Sequence, residues 1–180
     1  TTLLSAMLAA HSRISCGPET HFFRRLAQAD PARICSPETW PGAAVEFLAS
    51  IEHSAFAGYE SKRLLEKYRI DLGEIEGFLE QKSPSIPNVL ASVTESHMKR
   101  SGKCRWVEKT PDHLEHVAQI RRYFPRSPII RIVRDPRDVA LSFYHWRRRN
   151  QFFERRGLSV TALSYLYQFP DQEIAFAPSW

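Results

Sequence analysis

Residues 129–143, with the sequence IIRIVRDPRDVALSF, constrain the possible folds more than any other stretch of the chain. The stretch opens with apolar, mostly β-branched residues and changes at Arg134 to Asp-Pro and then to a helical pattern. A continuous apolar run of this kind predicts a buried strand of a parallel sheet that leads into a crossover helix. We therefore predict a strand over Ile129–Arg134 that ends at an arginine facing a helix N-terminus.

The helix after that strand carries clear start signals. Asp135 is the predicted N-cap residue, Pro136 suits the first helical position, and Asp138 adds negative charge at the positive end of the helix dipole. Ser142 follows on the edge of the face that is predicted to pack on the sheet. Two interpretations stay open. One is a capping arginine with a serine bonded to its own helix, and the other is an anion site at Arg134, Ser142 and the helix N-terminus.

Length, composition and charge bound the class of protein. The chain has 180 residues, of which 43% are hydrophobic and 25% charged, so it fits one domain with a substantial core. The net charge of +5 favours anionic ligands but does not separate nucleotides, nucleic acids and acidic peptides. The three cysteines have no metal-ligand spacing, which predicts a reduced chain and favours the cytosol. The sequence has no apolar run of the ~20 residues that a membrane-spanning helix needs.

The N-terminal quarter predicts a helix and then a short strand. The helical pattern is already running at the first residues, so Thr1 and Thr2 lie on its first turn and the chain looks cut at its N-terminus. This leaves open a Golgi-luminal or membrane-anchored parent. Ile14–Cys16 then predicts a strand, and Glu19 stands just beyond it. The carboxyl end of a strand is the usual place for chemistry in an α/β sheet, although a turn carboxylate exposed to solvent is the ordinary alternative.

The middle of the chain, residues 22–102, has mainly helical patterns. Helices are predicted over Tyr59–Arg69 and Asp71–Gln81, the second opened by a capping-box-like pair of Asp71 and Glu74. Asn88 is the predicted cap of a further helix that ends near Arg100. This excursion is too long for a minimal crossover between parallel strands, so we expect it to form a helical insertion on the substrate side.

A second strand with the same organisation follows the insertion. Cys104–Val107 predicts a short strand, with Glu108 and Lys109 at its end, and Thr110 caps a predicted helix that continues to Tyr123. The strand–helix–strand unit formed with residues 129–134 is expected to be parallel and right-handed. The whole pattern predicts one α/β domain over residues 1–180, a parallel sheet flanked by helices with a helical insertion.

Several common site motifs are missing. The sequence has no GxGxxG or GxxxxGK[ST] phosphate loop, no HExxH metal motif and no Gly-x-Ser-x-Gly nucleophile elbow. His113 and His116 fit surface residues better than metal ligands. The cluster Arg147–Arg156 contains two phenylalanines and suits single-stranded nucleic acid, but a solvated helix end is the commoner explanation.

The spacing of Arg134 and Ser142 resembles the sulfotransferases that use 3'-phosphoadenosine 5'-phosphosulfate (PAPS). In that family, a strand that ends in Arg and a Ser eight residues later on the next helix bind the 3'-phosphate of the nucleotide. The opening Thr1-Thr2-Leu3-Leu4 resembles the end of the family's Arg-Ser-Gly-Thr-Thr loop, which cradles the 5'-phosphosulfate. The resemblance implies a P-loop-like, three-layer fold, of which this chain would lack the first strand and the adenine-binding C-terminal elements.

Two more motifs resemble the branch that includes tyrosylprotein sulfotransferases and bacterial relatives. The segment LAAHSRISCGPETH is similar to the one that carries the branch's proposed catalytic glutamate, which maps to Glu19. The branch's Lys-x-Pro segment maps to Lys109, Thr110 and Pro111. His21 stands where the tyrosylprotein enzymes have Arg, a departure that argues against a peptide acceptor.

The resemblance implies in-line transfer of a sulfuryl group from PAPS to an acceptor hydroxyl or amine, with 3',5'-ADP as the product and no metal. Glu19 would be the general base, and Lys109 would stabilise charge on the bridging or sulfuryl oxygen. The implied phosphate-binding residues are Thr1, Thr2, Arg134 and Ser142. The acceptor would be a carbohydrate, peptide, lipid or small molecule, and no nucleic-acid partner is expected.

Two other functions stay open on the sequence alone. A P-loop-type nucleotide kinase has a similar strand–loop–helix order and predicts a Lys before Thr1 and a Mg²⁺-binding carboxylate at a strand end. A basic nucleic-acid-binding module would rest on the net charge and the Arg147–Arg156 cluster, and it predicts an affinity that falls steeply with salt.

Overall fold

A computed structural model describes residues 2–53, 62–142 and 144–145. The predictions for Thr1, for the side chain of Thr2 and for the cluster Arg147–Arg156 lie outside the described residues. The described chain falls into two units, the first formed by residues 2–53 and 62–129 and the second by the residues from 130 onward.

The first unit contains eight α-helices, four strands and one 3-10 helix within the described residues. In chain order they are α1 (Thr2–Ala10), β1 (Ile14–Cys16), α2 (Phe22–Leu26), α3 (Pro31–Ile34), α4 (Gly42–Ser50), β2 (Glu52–His53), β3 (Lys62–Arg63), α5 (Leu64–Tyr68), α6 (Leu72–Glu80), α7 (Ile86–Arg100), β4 (Arg105–Val107), a 3-10 helix (Pro111–His116) and α8 (Val117–Tyr123).

A parallel pair of strands forms the central sheet of this unit. β1 pairs with β4 in parallel, with Ile14 opposite Arg105 and Cys16 opposite Val107. Helix α1 packs against β1, and α7 packs against both strands. The predicted α/β class, a parallel sheet flanked by helices, is therefore confirmed, and the two predicted strands at Ile14 and Cys104 are observed within one residue of their predicted bounds.

The hydrophobic core lies mainly among the helices between β1 and β4. Its fully buried side chains include Phe22, Leu48 and Ile75. The Phe22 ring meets Phe47 edge to face, with the ring centroids 5.6 Å apart. Burying apolar area of this kind is the main stabilising contribution in a domain. The helical segment thus has a core of its own and gives the strand-end loops a firm support.

Two predictions about helix starts within this segment need correction. Helix α7 is capped by Ser85, whose hydroxyl accepts from the N–H of Asn88 at 3.4 Å, and not by Asn88 as predicted. The helix begins one turn earlier because Pro87 suits its first turn. The helix predicted over Tyr59–Arg69 begins only at Leu64, since the two residues before it pair with β2 as the antiparallel strand β3.

The helix predicted to start at Thr110 also differs. The chain forms a 3-10 helix first and becomes α-helical at Val117. The Thr110 hydroxyl makes no capping bond, because its oxygen accepts from the N–H of Thr20 while its proton is donated to the Glu108 carboxylate. Leu114 is 62% exposed on this 3-10 helix.

The strand predicted over Ile129–Arg134 is not observed. Residues 128–135 have no regular secondary structure, and Ile130 and Val133 are exposed. An apolar β-branched run has a high propensity for a strand, but a strand forms only where a neighbouring strand pairs with its backbone. No described strand pairs with these residues. Because that strand is not observed, the right-handed unit predicted between it and β4 is not observed either.

The helix start predicted after this segment is confirmed. Residues 136–142 are helical, and the Asp135 carboxylate accepts from the N–H of Arg137 at 2.9 Å. The Asp135 carbonyl accepts from the N–H of Val139 at 3.1 Å. The sequence therefore predicted this local boundary correctly.

Candidate active site

The loop after β1 carries Glu19, and its position is fixed by Tyr68 from α5. The Tyr68 ring lies so close to Gly17 that a Cβ atom there would be 2.6 Å from the ring. The Tyr68 hydroxyl donates to the Pro18 carbonyl at 2.6 Å. Burial raises the pKa of Tyr68 well above its usual range, so the phenol keeps the proton that it donates. Tyr68 thus fixes the loop at Gly17 and Pro18, just before Glu19.

The loop after β4 carries Lys109 to the same place. Parallel strands present their carboxyl ends at one edge of a sheet, so the loops that follow β1 and β4 emerge side by side. The Lys109 ammonium donates to Oε1 of Glu19. The Glu19 side chain is 35% exposed and that of Lys109 17%, so a substrate can reach the pair.

His21 and Asp112 extend this pair into a row of charged and polar groups. His21 Nε2 lies 3.7 Å from Oε2 of Glu19, on the side opposite Lys109, and His21 Nδ1 lies 2.8 Å from Oδ2 of Asp112. Burial alone would raise the pKa of Asp112, but the contact with His21 outweighs it and holds that pKa below its usual range. His21 has a left-handed backbone with φ 50°, which is uncommon for a residue other than glycine. Strained backbone of this kind is found most often at functional sites.

A second cluster of polar groups lies behind the pair, around Glu108. Its Oε1 accepts from the Thr20 hydroxyl at 2.7 Å and from the Thr20 N–H at 3.2 Å, and also from the Thr110 hydroxyl. Its Oε2 lies 2.6 Å from Nδ1 of His113. The Glu108 side chain is only 7% exposed. Burial would raise its pKa, but the bonds from His113, Thr110 and Thr20 together lower it, so this carboxylate is ionised.

Aromatic packing holds the histidine of this cluster. The Phe23 ring meets the His113 ring edge to face, with the centroids 5.1 Å apart, and it also packs on Phe124. Phe124 in turn packs on Trp106 of β4. Ring contacts therefore tie the 3-10 helix to α2, and the end of α8 to both α2 and β4.

The structure brings some of the predicted site residues together and places others in the second unit. Glu19 and Lys109 are in contact. Helix α1 begins at Thr2, so the free N–H groups of its first turn lie at that end. Arg134 and Ser142 belong to the second unit, where both are exposed and Ser142 is helical.

Sequence reasoning missed most of the groups that surround Glu19 and Lys109. The sequence indicates Glu108 only as charge at a strand end, and it favours a surface position for His113. Thr20 and Asp112 gave no signal of their own. Glu108, Thr20 and Asp112 bond to partners about 90 positions away in the chain. His113 packs on the distant Phe23 ring as well as contacting nearby Glu108. The one usable signal was that both strand ends are followed by short runs of polar residues.

Other features of the described residues concern metals, thiols and membranes. In the part of the chain that the structure describes, no group of three or more His, Cys, Asp or Glu side chains is arranged to hold a metal ion. Cys16, Cys35 and Cys104 are free thiols. Among the described helices, none is both long and apolar enough to span a bilayer.

Comparison with known proteins assigns the chain to a family. The model of a family described as "Sulfotransferase family" matches residues 1–172. Neither the search of curated proteins nor the search of solved structures found a significant match. The match spans nearly the whole chain, including both strand-end loops and the segment with Arg134 and Ser142. The chain belongs to the sulfotransferase family.

Proposed function

We propose that the chain transfers a sulfuryl group from PAPS to an acceptor hydroxyl or amine by in-line displacement, releasing 3',5'-ADP. The contact between Glu19 and Lys109 at the carboxyl edge of β1 and β4 carries this proposal. A reachable carboxylate beside an ammonium supplies both things that such a transfer needs: a proton acceptor for the attacking group, and positive charge for the transition state.

In this proposal Glu19 accepts the proton of the acceptor hydroxyl. Lys109 stabilises the negative charge that develops on the bridging oxygen or on a sulfuryl oxygen, a task that suits a compact ammonium. Their present contact places the two groups close enough to act on neighbouring atoms of one reacting centre. Since the protein does little covalent work in this scheme, orientation and charge are its main contributions.

The binding of PAPS is assigned to two other pairs of residues. Thr1 and Thr2 hold the 5'-phosphate together with the N-terminus of α1, because free N–H groups and the helix dipole favour an anion there. Arg134 and Ser142 hold the 3'-phosphate through charge-assisted hydrogen bonds. The exposure of Arg134 and Ser142 is compatible with a ligand, and the family match supports the donor class.

The family match favours this function over the nucleotide kinase and the nucleic-acid module. The tyrosylprotein-like branch remains a proposal that rests on the motifs around Glu19 and Lys109. The acceptor pocket is assigned to residues 22–102, and a cytosolic location remains a prediction from the free thiols.

Substitution of the general base tests the reaction directly. Glu19→Gln removes the proton acceptor but keeps the size of the side chain, so kcat should fall by about 10²–10⁴-fold. The assay is the release of 3',5'-ADP from PAPS in the presence of a screened acceptor. Glu38→Gln, at an exposed position between α3 and α4, is the matched control and should keep wild-type turnover. Near-normal turnover of Glu19→Gln would remove Glu19 from this role and leave His21 as the next candidate.

A further inference from the structure

The buried carboxylate of Glu108 joins the two loops that carry the reacting pair. On one side it accepts both the N–H and the hydroxyl of Thr20, the residue directly after Glu19. On the other side it accepts the hydroxyl of Thr110, the residue directly after Lys109. Glu108 itself directly precedes Lys109. Each bond therefore acts on backbone adjacent to one member of the pair.

Further bonds extend this connection into the backbone that follows β1. The Thr110 hydroxyl accepts from the N–H of Thr20 at 3.1 Å, so the two loops are bonded to each other as well as to Glu108. The Thr20 hydroxyl also accepts from the N–H of Phe22 at 3.2 Å, which fixes the start of α2. Thr20 is fully buried and Thr110 is 6% exposed, so water does not compete for these bonds.

We propose that Glu108 is a positioning residue that aligns Glu19 with Lys109 by locking the loop after β1 to the loop after β4. The effect of this role on catalysis rests on the proposed function. The alignment itself is a property of the protein and can be measured without a substrate.

The chemistry of the cluster suits a carboxylate at this position. The groups that meet Glu108 through Thr20 and Thr110 are donors, and a carboxylate is a side chain with two oxygens that only accept. The two donors of Thr20 and the Thr110 hydroxyl all meet Oε1, and Oε2 faces Nδ1 of His113. An amide of the same size lacks the negative charge that strengthens these bonds, and it turns its NH₂ group toward either the threonine donors or His113. The contact with His113 and the lowered pKa of Glu108 agree with a carboxylate that is ionised in the folded protein.

The alignment is tested by the chemical reactivity of Lys109. The full chain is treated with a short pulse of acetic anhydride, and acetylation of Lys109 is measured by mass spectrometry relative to the exposed Lys82. In the wild-type protein, the contact with Glu19 should protect Lys109, so that it is acetylated more slowly than Lys82. Glu108→Gln should remove this protection and speed the acetylation of Lys109, because the two loops are no longer locked. Glu115→Gln, at an exposed position of the neighbouring 3-10 helix, should keep the wild-type rate.

A second pair of variants covers the case in which Glu108→Gln does not fold. Thr110→Val removes the bridging hydroxyl at nearly constant size, and Thr110→Ser keeps it. The valine variant should lose the protection of Lys109 against acetylation, and the serine variant should keep it. In the turnover assay, Glu108→Gln and Thr110→Val should lower kcat by roughly 100-fold while KM for PAPS stays near wild type, because misplaced reacting groups act on the chemical step. A general loss of stability would not produce this split between kcat and KM.

The outcomes separate the two claims. Wild-type Lys109 protection and wild-type kcat in folded Glu108→Gln would overturn the positioning role. If the wild-type protein released no 3',5'-ADP from PAPS with any acceptor, the proposed function would fail. In that case, lost Lys109 protection in Glu108→Gln would still support the role of Glu108 in alignment, and retained protection would overturn it.

Discussion

At the scale of single residues, Gly17 has the closest neighbours of the described glycines. Gly17→Ala should destabilise the fold by about 1–3 kcal/mol, because the new methyl group would overlap the buried Tyr68 ring. Urea unfolding measures the change. Gly77→Ala is the matched control, since nothing lies within 4 Å of a Cβ there, and in the middle of α6 it should stabilise by about 0.5–1 kcal/mol. Equal stabilities of the two variants would contradict the close contact of Gly17 with Tyr68.

The phosphate-binding assignment is also a statement about single residues. Arg134→Ala should weaken the binding of 3',5'-ADP by about 1.5–3 kcal/mol, the range for hydrogen bonds to charged groups. Isothermal titration calorimetry measures the loss. The neighbouring Arg131→Ala, also exposed, controls for the general loss of positive charge. Wild-type affinity in Arg134→Ala would show that the 3'-phosphate binds elsewhere.

Single residues differ in how far the sequence alone could assign them. The positions of Glu19 and Lys109 were predictable because each follows a recognisable strand and matches a family motif, and their catalytic roles stay predictions. The role of Glu108 was not predictable, because its bond partner Thr20 lies 88 positions away and hydrogen bonding at that separation leaves no periodic pattern. The burial of His113 was not predictable either, because it depends on packing against Phe23, which is distant in the chain.

At the scale of elements, the start of α6 offers a clean test of helix capping. The Asp71 carboxylate accepts from the N–H of Glu74 at 2.7 Å, as the spacing of the two residues predicted. Asp71→Ala should cost about 1 kcal/mol in the free energy of unfolding, whereas Asp71→Asn should keep most of the stability because an amide oxygen can accept the same bond. Urea titrations of the two variants decide the point. An equal loss in both would mean that the charge, and not the hydrogen bond, stabilises this end.

Elements were predictable where their signals are local. Caps and prolines marked α6 and the helix after Asp135, and short alternating runs marked β1 and β4. The strand predicted over Ile129–Arg134 failed for a different reason. Its apolar residues satisfied every local criterion, but a strand depends on a partner, and the partner is not encoded in the strand's own residues.

At the scale of the whole molecule, the stability of the fold should depend on acid through its buried carboxylates. The pKa values of Glu108 and Asp112 are lower in the folded chain than in the unfolded chain. Each group therefore stabilises the fold above its unfolded pKa and loses that effect as the pH falls through the folded pKa. The free energy of unfolding should thus decrease as the pH falls below about 4.

A variant without the Glu108 carboxylate tests how much of this acid sensitivity comes from Glu108. Glu108→Gln cannot take up a proton in this range, so its unfolding free energy should fall less steeply below about pH 4. The exposed Glu115→Gln should keep the wild-type slope. Urea unfolding at a series of pH values measures all three proteins, and identical acid slopes would contradict the lowered pKa of Glu108.

The parallel pairing of β1 and β4 has a consequence for how the family can diversify. Three ladder pairs fix both ends of the long helical segment between the strands, so its interior can change while the reacting pair keeps its place. We expect a chimera that takes residues 22–102 from a relative to exchange acceptor preference and retain the donor. Such a graft has one junction rule. Position 17 must be exchanged together with residues 22–102, which carry Tyr68, because the aromatic ring and the missing side chain beneath it form one matched surface.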